Sequence, residues 1–215
     1  MTQPAPHVVL LGDSVFDNAR YVAPGPDVAA QLRAVLPAGW RATLRAVDGA
    51  TTSGLAAQLR AIPADATHLV VSVGGNDALQ NRDLLSLRVT STAQALDAFA
   101  RRLAVFEAAY RRAIRDVAEL GRPTAVCTIY NGNLDDPEVT PARLGVALFN
   151  DVILRTALDL RVDTLELRQV CREPRDYANP IEPSVHGGDK IARAIAALVT
   201  AGPEPAGRTR AWGAA

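Results

Sequence analysis

The feature that most limits what this chain can fold into is the regular return of short apolar runs between stretches with helical periodicity. The runs are His7 to Leu11, Ala42 to Val47, His68 to Val73, Thr124 to Ile129 and Thr164 to Leu167. They are too short to be helices and too continuously apolar to carry a solvated face, so they read as strands buried on both sides. Helical periodicity fills the gaps from about Asp27 to Leu36, Pro141 to Leu160 and Gly188 to Val199. It is clearest where Leu96, Phe99, Leu103, Phe106, Tyr110, Ile114, Val117 and Leu120 recur at three- and four-residue steps, stopped by Gly121 and Pro123. The arginines between them, among them Arg101, Arg111 and Arg115, read as a solvated helix surface. Strands alternating with helices predict an α/β fold with a five-stranded parallel sheet covered on both faces.

Composition narrows the function. With 215 residues and 48% of them hydrophobic, the chain buries a core without disulfide or metal staples, and Cys127 and Cys171 read as small reduced hydrophobes. Its 23 basic and 23 acidic side chains cancel, so it lacks the cationic excess with which proteins displace counterions from nucleic acid, and no nucleic-acid partner is expected. The run Val8 to Leu11 is too short for a signal-peptide core or a membrane span, so a cytoplasmic location and no membrane partner are expected. One domain is expected over residues 1–201, followed by a tail, 202–215, rich in Gly, Pro and Ala, which Trp212 could anchor. The sequence does not indicate the oligomeric state.

The residues that could do chemistry sit at strand ends. The first run leads into Gly12-Asp13-Ser14, which presents a hydroxyl at the C-terminal edge of the sheet; equally, Asp or Ser there could cap a helix. The third run leads into Gly74-Gly75-Asn76-Asp77, a block that chance supplies in about one chain in several hundred. Its glycines allow close backbone approach, and an Asn side chain can donate to a developing oxyanion. The second run ends at Asp48-Gly49-Ala50, where the Gly49 N–H could point the same way. A hydroxyl and several donors converging on one site suit acyl transfer through a tetrahedral intermediate. Asp17 and Asn18 read as turn or helix caps, and Asp77 as a brace for the loop carrying Asn76. His7 and His68 stand at the opposite, N-terminal edge and read as structural.

These blocks resemble those of the SGNH hydrolases, also called GDSL esterases and lipases. The resemblance implies a flavodoxin-like three-layer α/β/α sandwich over nearly the whole chain, with Ser14 as nucleophile. It further implies an oxyanion hole made by the backbone N–H of Ser14, the N–H of Gly49 and the side chain of Asn76. Members of that family end with Asp-x-x-His-Pro, the His being the general base. Here the segment reads Asn179-Pro180-Ile181-Glu182-Pro183-Ser184-Val185-His186-Gly187. Aligned through Pro183 and Gly187, Glu182 stands at the His position and Asn179 at the Asp position.

Three readings follow. Glu182 is itself the base, provided burial lifts its pKa toward neutrality, with the neutral Asn179 amide orienting it. Alternatively His186 reaches the serine, oriented by Glu182 or Asp189. In the third, hydrolytic power is weakened and the fold binds a small acyl or carboxylate ligand. The expected substrate is a small-molecule ester or related acyl compound, with no cofactor: neither GxGxxG nor GxxxxGK[ST] occurs, and Asp135, Asp136 and Glu138 read as a solvated acidic loop rather than a metal site. The polar loop Tyr130 to Pro141 is expected to shape the substrate site.

Overall fold

The computed structural model describes residues 5–135, 139–202 and 209–213. In chain order the strands are β1 (His7–Gly12), β2 (Arg41–Leu44), β3 (His68–Ser72), β4 (Thr124–Cys127), β5 (Asp163–Leu165) and β6 (Ala211–Trp212). The helices are α1 (Ala19–Val22), α2 (Val28–Val35), α3 (Leu55–Leu59), α4 (Gly75–Gln80), α5 (Thr92–Ala118), α6 (Val139–Leu160), α7 (Leu167–Val170) and α8 (Val185–Thr200). All neighbouring strands pair parallel, in the order β2-β1-β3-β4-β5-β6. No helix among the described residues is long and apolar enough to cross a membrane.

Alternation along β1 divides the core in two. Val8 and Leu10 face α2 and α8, packing with Leu32, Ile191 and Ile195, whereas Val9 and Leu11 face α5 and α6, packing with Tyr110, Ile114 and Ile153. This is the expected three-layer sandwich. Leu96 and Leu120, read as part of the apolar face of α5, are instead exposed near its two ends, beyond the reach of the sheet. Cys127 and Cys171 are free and buried.

The sheet has six strands, not five. Ala211 and Trp212 pair with Thr164 and Leu165, and Arg210 anchors them by donating to Asp163 from its backbone N–H (2.9 Å) and its Nε (3.0 Å). Two residues carry no periodicity, so this strand is set by its side-chain anchor rather than by a pattern. A second departure bears on function: α8 begins three residues earlier than expected, because Ser184 caps it by accepting from the Gly187 N–H at 3.1 Å. His186 therefore lies in the first turn of a helix rather than in a loop.

Strand order reverses around β1, with β2 to one side and β3 to the other, and the crevice at the C-terminal ends of β1 and β3 is where open parallel sheets bind ligands. Gly12 makes the turn out of β1. Its φ is +123°, and a Cβ there would lie 1.7 Å from the Ser72 carbonyl oxygen, so only glycine fits.

Candidate active site

The turn after Gly12 is held by the Asp13 N–H donating to the Ser72 carbonyl (2.9 Å) and by the Phe16 and Asp17 N–H groups donating back to the Asp13 carbonyl. Gln58 of α3 clamps Gly12 from the side, its Nε2 donating to the Gly12 carbonyl and its Oε1 accepting from the Gly12 N–H, both at 2.7 Å. Ser14 is thereby presented, 9% exposed, at the mouth of the crevice. Nothing in the pattern of α3 marks Gln58, because its partner is backbone.

Ser14 Oγ donates to Glu182 Oε1 at 3.0 Å, across 168 residues of chain. Glu182 is 5% exposed. Its loop is pinned by the Tyr130 hydroxyl on the Ile181 carbonyl (2.6 Å), by Asn18 Nδ2 on the Pro183 carbonyl (3.2 Å) and by the Ala178 N–H on the Glu182 carbonyl (2.9 Å). Asn179 orients the segment differently from the expectation. Its Oδ1 accepts from the backbone N–H groups of Ile181 and Glu182, each at 3.0 Å, so it shapes the turn and leaves the carboxylate alone. Oε2 of Glu182 is buried and meets no donor among the described residues.

Burial pushes the Glu182 carboxyl up to about 7; the Asp48 charge adds to this, while the Ser14 hydrogen bond and Arg20 oppose it. Asp48 is itself held by Arg20 and by the Tyr21 hydroxyl. A second buried acid adjoins the serine. Asp13 is raised to about 8, chiefly by burial, with the charges of Glu182 and Asp77 adding and the Val15 N–H opposing. Its burial could not be read from the motif.

Of the other expected donors, Asn76 lines the same pocket as Ser14 and Gly49 does not. Asn76, in the first turn of α4, donates one Nδ2 hydrogen to the Ala50 carbonyl at 2.9 Å, and Asp77 Oδ2 accepts from the Thr52 N–H at 2.9 Å, so Asp77, expected to brace the loop that carries Asn76, ties that block to the turn after β2. Gly49 adopts φ +79° in the turn next to Ala50 and is not among the residues lining the pocket at Ser14. Among the described residues, the N–H groups of Ser14 and Gly49 donate to no protein group.

His186 is not brought to the serine. Its side chain is 45% exposed and its Nε2 lies 3.6 Å from Asp176 Oδ1, while Asp189 pairs with Arg193. The early start of α8 is the reason. Asp176 is buried and already satisfied by Lys190 Nζ (2.8 Å) and by the N–H groups of Arg172 and Glu173. Glu173, Asp176 and His186 have potential ligand atoms within 4.8 Å of one another, but the Lys190 ammonium holds the central carboxylate. Asp135 is exposed, as a solvated loop requires, and Asp136 and Glu138 lie outside the described residues. At the opposite edge His7 is buried between Asp65 (3.1 Å) and Thr43 (2.7 Å), and His68 stacks on Trp40, both structural.

From Ser14, Asn76 and Glu182 a pocket of about 160 Å³ runs between α4, α5 and α6. Its walls are mostly apolar, formed by Leu79, Leu85, Phe99, Ile129, Val146 and Phe149. The loop after β4 contributes Tyr130, Asn131, Gly132 and Leu134 as expected, but α4, α5 and α6 together supply more of the lining than this loop does. Those positions share the periodicity of core residues, which is why sequence reasoning missed them.

A family model described as GDSL-like lipase/acylhydrolase matches residues 10–194. Among solved structures, the chain is similar to an extracellular lipase from Streptomyces rimosus (TM-score 0.67, 18% identity, covering 92% of this chain and 100% of that one). It is also similar to a phospholipase A1 from Streptomyces albidoflavus NA297 (0.63, 17%, 86% and 94%). A third is an acetylxylan esterase from Geobacillus stearothermophilus (0.60, 19%, 94% and 98%). At these identities the likeness is one of fold. A search of curated protein sequences returned no match.

Proposed function

Because the chain belongs to the GDSL-like lipase/acylhydrolase family, we propose that it hydrolyses carboxylic esters through an acyl intermediate on Ser14, with Glu182 as general base. The observation that carries this reading is the 3.0 Å hydrogen bond from Ser14 Oγ to a buried carboxylate whose pKa is lifted to about 7. A carboxylate at its usual pKa accepts a serine proton poorly; one near 7 is matched to the task while still ionised in useful amount.

In the reaction Ser14 Oγ attacks the ester carbonyl carbon as its proton passes to Glu182 Oε1. The oxyanion is held by the unengaged N–H of Ser14 and by the Asn76 amide, both at the pocket, with the unengaged N–H of Gly49, outside the pocket lining, as the proposed third donor. Collapse expels the alcohol, protonated by Glu182. Water then attacks the acyl-serine, with Glu182 again accepting a proton, and the acid and free serine are released. No step needs a cofactor.

A fluorophosphonate probe tests the nucleophile. It should form one adduct, on Ser14, lost in Ser14→Ala. Absence of labelling in folded protein that still binds acyl amides would instead favour a binding module on this scaffold.

A further inference from the structure

The helix α6 carries a glycine, Gly145, in its interior, where glycine is destabilising relative to alanine. No turn or positive φ demands it. A Cβ built there would touch Leu85 Cδ2 and Phe99 Cε1, each at 3.8 Å, which is ordinary van der Waals contact, so backbone crowding does not demand it either. What lies beyond that missing Cβ is the apolar pocket, of which Gly145, Leu85 and Phe99 all form wall. Any side chain larger than alanine would occupy the space that the pocket holds open.

The pocket also has a direction. Glu182 stands with Ser14 and Asn76 at one end of the pocket, and the alcohol oxygen must face it to be protonated. The wall that leads away from Glu182, past Asn76 and through Leu79 and Leu85 to Gly145, is then the one left for the acyl chain. At about 160 Å³ the space is roughly ten times what one water requires, far more than an acetyl group fills.

We infer that this pocket is an acyl-chain site selecting linear apolar acyl groups of medium length, about hexanoyl to octanoyl, and that Gly145 sets that length. The inference rests on the proposed esterase reading. Each methylene taken into the pocket improves kcat/KM by about fourfold, the equivalent of ~0.8 kcal/mol per buried CH₂. From acetyl to hexanoyl that accumulates to on the order of a hundredfold.

The experiment compares p-nitrophenyl esters from acetate to decanoate, and in parallel alkyl acetates of increasing alcohol length, on wild type, Gly145→Ala and Gly145→Leu. The expected result is an acyl series that climbs to a maximum at hexanoate or octanoate, beside a nearly flat alkyl-acetate series. In Gly145→Leu the hexanoate-to-acetate ratio should fall at least tenfold and the maximum should move to shorter chains. Gly145→Ala should fall between them, with a Tm no lower than wild type, which separates pocket filling from misfolding. A flat acyl series, a climb in the alcohol series instead, or a ratio unmoved by Gly145→Leu would overturn the inference. Should no ester be cleaved, the esterase reading fails, and the pocket is then judged by the Tm shift of wild type with octanamide against acetamide. A shift with octanamide, abolished in Gly145→Leu, sustains the acyl site, and no shift overturns it.

Discussion

At the scale of single residues, the site couples function to a stability cost. Glu182 has a folded-state pKa raised above its unfolded value, so the folded protein binds the proton more tightly and loses stability as pH rises from about 4.5 through about 7. Glu182→Gln removes that penalty. It should stabilise the protein at pH 8 by on the order of 1–3 kcal/mol and leave stability at pH 4 nearly unchanged, as urea denaturation at the two pH values would measure. An equal effect at both would mean that Glu182 titrates normally. That Ser14, Asn76 and Glu182 meet at one pocket was legible from the motif blocks, because those blocks fall at the ends of β1 and β3 and in the turn before the last helix. Asp13 and Gln58 were not legible, because the burial of one and the backbone contacts that the other makes 46 residues away leave no mark on local pattern, and the placing of His186 beside Asp176 follows from where α8 starts.

At the scale of elements, the sheet was legible where strands are long and buried, and illegible where two residues, Ala211 and Trp212, are held by Arg210 on Asp163. The starts of helices mattered more. Ser184, by capping α8, carries His186 away from the serine while the turn before it keeps Glu182 in place. The link between α3 and β1 is the other determinant of the site. Gln58→Ala leaves the buried N–H and carbonyl of Gly12 without their side-chain partner, and should cost about 2–4 kcal/mol and lower kcat by releasing the turn that presents Ser14. Denaturation with an unchanged m-value, together with steady-state kinetics, would check both; a stability within 0.5 kcal/mol of wild type, roughly the scale of an ordinary surface change, would show that the clamp is idle.

At the scale of the whole molecule, Ser14, Asn76 and Glu182 come from segments far apart in the chain and line one pocket at the C-terminal edge of the sheet. Net charge is zero, so no global field tunes it. The raised pKa of Glu182 comes from local burial and from the charge of Asp48. That a buried glutamate does the work of the family's histidine is the central claim, and the pH dependence of kcat/KM on a neutral ester tests it most directly. The account predicts a rate that rises with pH through an apparent pKa of about 7 and is unchanged in His186→Ala, with Glu182→Gln reduced by roughly 10²–10⁴. A wild-type profile that loses its titration in His186→Ala while Glu182→Gln retains full activity would contradict it.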